Sequence, residues 1–283
     1  MSNILLTGST GFIGSNLLQE LSKENTIYIL LRYPFKKLNF VKKNIIKIKY
    51  KNYNDLDFKL KKLKIDTVIH CATHYVKEHK RNDIKKFAES NILFGNIILE
   101  NLEKMKVKKF INFSTVWADN YKINGYVNLY SLYKKSFSLI TQYYIKKFTQ
   151  IKFYDLLISD TFGFGDKRPK IINILKKNFK KNKITKIISE NLFLNLLNIE
   201  DISRAINIIL NKKVTPNKYV IKNSKEIKVS DIVMLFNKNN KKKLRVKWSS
   251  KKLIKFKIIN YKKLTGWKPK KSNIDNIISV IKN

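Results

Sequence analysis

Three of the chain's eight glycines fall within seven residues near its start, at Gly8, Gly11 and Gly14. The apolar run Ile4-Leu5-Leu6 enters this window, and a second apolar run, Ile27 to Leu31, follows and ends at Arg32. A chain so poor in glycine clusters it only for a backbone reason. The spacing reads as strand, tight turn, helix over 12–23, strand. Gly8 permits the turn, Gly11 lets the backbone approach a pyrophosphate, and Gly14 lets the helix pack closely on the strand. The first N–H groups and positive dipole end of that helix would hold the phosphates. A plainer reading is a glycine-rich turn that merely joins strand to helix. The phosphate motif requires a strand before it and a helix after it, and both are present.

The first half of the chain keeps alternating. Ile45 to Tyr50 reads as strand, Leu56 to Lys64 as helix and Asp66 to Ala72 as strand. A helical stretch follows from Ile84 to Met105, with Ile92, Leu93, Ile97, Ile98 and Leu102 on one face. Phe110 to Ser114 is a strand, 129–148 a helix and Ile151 to Ile158 a strand. This rhythm predicts an α/β fold with a doubly wound parallel sheet. Residues 1–160 form the expected dinucleotide-binding domain. Beyond Asp160 the rhythm breaks, so 161–283 is expected to be mainly a smaller substrate-binding lobe, returning one or two elements to the sheet.

The formal charge of +40 comes almost wholly from lysine, since arginine occurs only at 32, 81, 168, 204 and 245. Lysines are spread along the chain rather than gathered in one tract. They read as a solvated surface, with attraction to polyanions as the functional alternative. No nucleic-acid-binding motif accompanies them, so nucleic acid is not an expected partner. Cys71 is the only cysteine, which excludes an intrachain disulfide and suits a reducing, cytoplasmic setting. On its apolar strand it reads as packing rather than as a nucleophile. His70, His74 and His79 lack the companion ligands of a metal site, and no apolar run is long enough to span a bilayer. Asp201 is expected to cap a helix over 202–210.

Tyr130 and Lys134 are four residues apart on a predicted helix, so they share a face. A nearby ammonium favours the phenolate and lowers a pKa that is normally about 10. Such a tyrosine can give or take a proton at a carbonyl or alcohol. Tyr33/Lys37 and Tyr143/Lys147 match the same spacing, but only Tyr130 starts a helix shortly after a strand ending in hydroxyl residues, Ser114-Thr115.

These residues resemble the extended short-chain dehydrogenases/reductases that act on nucleotide sugars. The likeness includes Thr7 to Gly14, the strand end Ile69 to Thr73, Asn91 with Gly95-Asn96, Ser114-Thr115, Tyr130/Lys134, Asp160 to Gly163 with Asp166 to Pro169, and Asn198 to Asp201. Ile111 to Lys134 and 160–170 look most like CDP-4-keto-6-deoxyhexose reductases of the abequose/paratose synthase type. The resemblance implies Thr115, Tyr130 and Lys134 as catalytic residues, with Lys134 also on the nicotinamide ribose. It implies dinucleotide contacts from Gly8, Thr10, Gly11, Phe12, Ile13 and Gly14, and from Cys71, Ala72 and Thr73. Substrate contacts are expected from His74, Tyr75, Thr161 and Arg168, and a homodimer through the helices 84–105 and 129–148.

Two departures sort the reaction. The family's 4,6-dehydratases carry Asp-Glu directly after the catalytic threonine, whereas Thr115 is followed by Val116-Trp117. At the end of the second strand, where NAD-using members carry an acid, stands Arg32, which suits the 2′-phosphate of NADP. A plain surface cation is the alternative for Arg32. The third strand runs into Tyr50-Lys51-Asn52, without the aspartate that usually meets the adenine. The expectation is NADPH-dependent reduction of a nucleotide-linked 4-keto-6-deoxy sugar. A 4-epimerase with tightly held NAD is the nearest rival, and a non-catalytic dinucleotide-sensing or anchoring subunit is the rival of another class.

Overall fold

The computed structural model describes residues 1–35, 42–119, 127–250, 258–259 and 261–283. Two compact units emerge: Met1–Leu157 with Val214–Val220 and Lys257–Lys263, and Ile158–Lys213 with Ile221–Phe256 and Leu264–Asn283.

The first unit carries an eight-stranded sheet. Its strands are β1 (Asn3–Thr7), β2 (Thr26–Arg32), β3 (Ile45–Tyr50), β4 (Thr67–His70), β5 (Lys109–Thr115), β6 (Lys152–Ile158), β7 (Lys218–Ile221) and β8 (Lys262–Lys263). They lie in the order β8-β7-β6-β5-β4-β1-β2-β3. Strand β1 pairs in parallel with both β2 and β4, and β2–β3, β4–β5 and β7–β8 are parallel too. This is the doubly wound arrangement expected from the alternation. The strand order reverses between β1 and β4, the point at whose carboxyl ends such sheets bind ligands.

Helices α1 (Phe12–Leu21), α2 (Tyr53–Leu60), α3 (Arg81–Phe87), α4 (Phe94–Glu100) and α5 (Leu129–Lys147) belong to this unit. Leu5, Val68 and Phe110 of the sheet pack with Ile98, Leu99 and Phe137 of α4 and α5 into one core. Helix α2 starts earlier than its apolar pattern suggests because the Asn52 side chain accepts from the Asp55 N–H and caps it. Strand β4 ends at His70, sooner than expected, because the Ala72 N–H is taken by the Thr7 hydroxyl instead of a ladder partner. The helix expected from Ile84 is in fact α3 and α4 joined by a π-helical stretch, Ala88–Leu93.

The second unit has its own core, in which Phe162, Leu175, Leu196, Ile232, Phe236 and Ile277 are buried. Asp201 does not cap its helix, Ile199–Asn211; that cap is Asn198, whose side chain accepts from the Glu200 N–H. The Asp201 carboxylate is instead fully buried. It accepts from the N–H groups of Lys270 and Lys271, from the Ser272 hydroxyl and from Arg204. Among the described residues no helix is long and apolar enough to cross a membrane.

Candidate active site

The turn after β1 is shaped by what a side chain would hit. Gly8 sits at φ +68, and a Cβ there would come within 2.7 Å of the Ala72 nitrogen. A Cβ on Gly14 would lie 2.2 Å from the Gly8 carbonyl oxygen, so α1 can approach the turn this closely only without one. Gly11 donates to Gly8 O at 2.9 Å and stands as the extended N-cap of α1, where no side chain caps the helix. The result is a helix N-terminus presented over the carboxyl end of the sheet, the geometry that suits a pyrophosphate.

Thr7 ties this turn to the end of β4. Its hydroxyl accepts from the Ala72 N–H at 3.1 Å and pairs with His70 Nδ1 at 3.0 Å. The His70 ring lies among Phe94, Phe110 and Phe137. Burial, with repulsion from Lys134, pulls its pKa down to about 3, so it is a neutral core imidazole. Burial likewise pushes the Cys71 thiol up, which keeps it protonated.

Beyond Ala72 the chain is pinned by Asn91, buried in the π-helical stretch. Its Oδ1 accepts from His74 N–H at 2.6 Å and from the Thr73 hydroxyl at 3.1 Å, and its Nδ2 donates to His74 O at 3.1 Å. His74 then pairs through Nε2 with Asp83 at 3.1 Å and packs edge-on against Phe87. Tyr75 meets the Tyr130 ring edge-to-face, with centroids 4.9 Å apart.

Thr115 closes β5, almost fully buried, its hydroxyl accepting from the Trp117 N–H at 3.3 Å. Helix α5 opens on the Asn128 cap, which accepts from the Ser131 N–H at 2.9 Å and places Tyr130 in the first turn. Lys134, one turn on, is only 4% exposed. Burial lowers its pKa to about 8, opposed by the Asp155 carboxylate. An ammonium one helical turn from a half-buried phenol can ease proton transfer at that phenol. The rival pairs differ: Tyr143 is 62% exposed, and Lys37 lies outside the described residues.

Arg32 ends β2 exposed, opposite Tyr50 in register, and its charge opposes the upward push of burial on the Tyr53 phenol. Lys49 stands over the Phe35 ring beside Tyr33. In the second unit Arg168 is gripped by both Asp166 carboxylate oxygens and by Thr161, with Nη2 2.7 Å from Oγ1.

Three groups escaped the sequence reading. Tyr53 as the partner of Arg32 carried no motif signal. Asp155 did leave one, an acid inside the apolar strand run Phe153 to Ile158. Asp119 lies four residues past Thr115, wholly buried. Lys135 at 2.5 Å, Lys218 at 2.8 Å and the Tyr261 hydroxyl surround its carboxylate.

The doubly wound parallel sheet agrees with what is known of similar proteins. Over 274 residues the chain is 30% identical to a dTDP-D-glucose 4,6-dehydratase of Dictyostelium discoideum, covering 82% of this chain and 61% of the relative. Over 180 residues it is 29% identical to a CDP-abequose synthase of Salmonella muenchen, covering 63% of this chain and 60% of that one. The chain thus spans about 60% of the length of both relatives. Among solved structures, a UDP-glucuronic acid 4-epimerase from Bacillus cereus with UDP-glucuronic acid and NAD superposes at a TM-score of 0.79. That alignment covers 99% of both chains at 21% identity, a likeness of fold. The family model described as "NAD dependent epimerase/dehydratase family" matches residues 4–221, and the chain belongs to that family.

Proposed function

We propose that this protein modifies a nucleotide-linked sugar and, more narrowly, that it reduces the 4-keto group of a nucleotide-linked 4-keto-6-deoxy sugar with NADPH. The observation that carries the reading is the buried Lys134 one helical turn from Tyr130, with Thr115 at the end of β5. The uncapped N-terminus of α1 and the close packing at Gly8 and Gly14 fit a dinucleotide pyrophosphate. When bound, the nicotinamide supplies the hydride. Tyr130 gives its proton to the oxygen that becomes the C4 hydroxyl, Thr115 holds that oxygen, and the Lys134 charge stabilises the phenolate left behind. Lys134 also takes the nicotinamide ribose. Arg32 favours NADP, because a guanidinium can grip a 2′-phosphate through two N–H groups. Val116 and Trp117 after Thr115 offer no acid–base pair for elimination of water, which speaks against dehydration as the reaction of this chain. The similarity to CDP-abequose synthases supports the reductive reading. A homodimer is part of the proposal, supported by the exposed Ile84 and Leu93 on the helical stretch 81–100 and by Leu139 and Tyr143 on α5.

The test is NADPH oxidation with CDP- and dTDP-4-keto-6-deoxyglucose. A Tyr130→Phe protein with near-normal turnover overturns the mechanism. Tightly retained NAD with no net NADPH use replaces reduction by 4-epimerisation.

A further inference from the structure

Helix α5 turns an unusual stripe towards the sheet. Ser131, Lys134, Ser138 and Thr141 recur at helical spacing, and all are buried where an amphipathic helix normally places apolar residues. Across from them the sheet is polar as well. Asp155 on β6 accepts from the Ser138 hydroxyl at 2.7 Å and from Asn112 Nδ2, on neighbouring β5, at 2.8 Å. Ser138 lies one turn beyond Lys134 on the same helix face, so the carboxylate it holds belongs to the surroundings of the lysine. Two hydrogen bonds from two different elements fix that carboxylate. Isolated, a buried ammonium sheds its proton rather than remain charged.

We infer that Asp155 is a positioning residue for Lys134: held by Ser138 and Asn112, it is the half-buried counter-charge that keeps the lysine an ammonium one helical turn from Tyr130. This rests on the proposed role of Lys134 as the residue that tunes Tyr130. The other titratable groups facing Lys134 do not substitute for Asp155. From the end of β4 come His70, neutral by burial, and Cys71, held as a thiol. From α5 itself comes Tyr130, the group to be tuned. Glu89, in the π-helical stretch, acts on Tyr53, and Glu100 of α4 is bonded to the Tyr144 hydroxyl, ten residues beyond Lys134 on α5. The lysine is thus balanced between burial, which lowers its pKa, and Asp155, which raises it.

The experiment is a titration of Lys134 by carbon NMR of labelled lysine side chains, assigned with Lys134→Arg, in the wild type and in Asp155→Asn. The isosteric amide removes the charge and keeps the shape. The lysine should titrate at least about one pH unit lower in Asp155→Asn, the smaller end of what a nearby carboxylate imposes. Ser138→Ala, which loosens the carboxylate without removing it, should move the lysine the same way by less, and it serves if Asp155→Asn fails to fold. In the ketoreductase assay, the alkaline fall of kcat should move down by the same amount in Asp155→Asn. An unmoved lysine overturns the inference. So does a moved lysine with an unchanged kcat–pH profile, provided Tyr130→Phe is inactive, for then the charge is not used. If the wild type reduces no keto sugar, the proposed function fails, and the NMR titration alone decides whether Asp155 sustains Lys134.

Discussion

Replacing Asp119 by alanine should destabilise the first unit by about 3–5 kcal/mol, the range seen when one partner of a buried ion pair is removed. The structure supports the upper part of that range. The carboxylate is wholly buried, and its ammonium partners Lys135 and Lys218 are themselves only 14% and 21% exposed. Each charge contact is worth about 4 kcal/mol at 4 Å in the effective dielectric of a protein, before desolvation is subtracted. Removal leaves two shielded cations and the Tyr261 hydroxyl around an empty centre, in a chain that already carries +40. For a unit of this size about 2–4 °C of melting temperature goes with each kcal/mol, so the transition should fall by about 10 °C. Asp119→Asn should fall less, because the amide oxygen still accepts from Tyr261. The pH dependence has a definite sign. Lys135, Lys218 and Tyr261 hold the Asp119 carboxyl well below the usual carboxylate range against the penalty of burial. Its contribution is therefore complete above the unfolded value of about 3.9 and is lost as pH falls further. Calorimetry should show a wide gap between wild type and Asp119→Ala at pH 7 that narrows below about pH 4. The gap should survive added salt, since the pair is shielded from solvent. A melting temperature within a degree of wild type at pH 7, or a gap constant down to pH 3, would refute the reasoning.

Other positions give sharper local outcomes. Gly14→Ala places a Cβ 2.2 Å from the Gly8 carbonyl. Because α1 must retreat, the melting shift produced by added dinucleotide should disappear, with about 1–3 kcal/mol of intrinsic destabilisation. Arg32→Ala should reduce the preference for NADPH over NADH by about 10- to 100-fold, the worth of a charge-assisted hydrogen bond of about 1.5–3 kcal/mol. Paired titrations with the two cofactors check this, and an unchanged ratio assigns Arg32 to the plain surface. Asp201→Ala strips the acceptor from the N–H groups of Lys270 and Lys271 and from the Ser272 hydroxyl. Hydrogen exchange should show these amides losing protection, with about 3 kcal/mol of destabilisation.

What was legible in the sequence follows from how local each determinant is. The turn at Gly8, the helix start at Gly11 and the strand–helix rhythm up to Ile158 depend on neighbours in the chain, so their residues announced them. Tyr130 and Lys134 were legible for the same reason, through a spacing of one helical turn. The boundaries were less so: β4 stops because Thr7, on another strand, takes an amide that the ladder would have used. Asp201 looked like a cap because an acid near a helix start usually is one. Its actual partners, Lys270 to Ser272, lie about seventy residues away in sequence. Asp119, Asp155 and the Tyr53 partner of Arg32 are likewise joined only by tertiary approach. In so lysine-rich a chain, no pattern of charge marks which cations such acids will meet.

The π-helical stretch Ala88–Leu93 has a consequence for how this chain tolerates change. A wider turn takes up an extra residue, so everything after it is rotated by about 100° relative to an uninterrupted α-helix. Phe87, which stacks on Tyr133, precedes this stretch, and Ile98, in the core, follows it. Asn91 reaches the backbone of His74 from within that dislocation. Deleting any single residue between 88 and 93 would convert the segment to ordinary helix and bring one flank out of alignment with its packing. Length, more than composition, is what selection must hold fixed there.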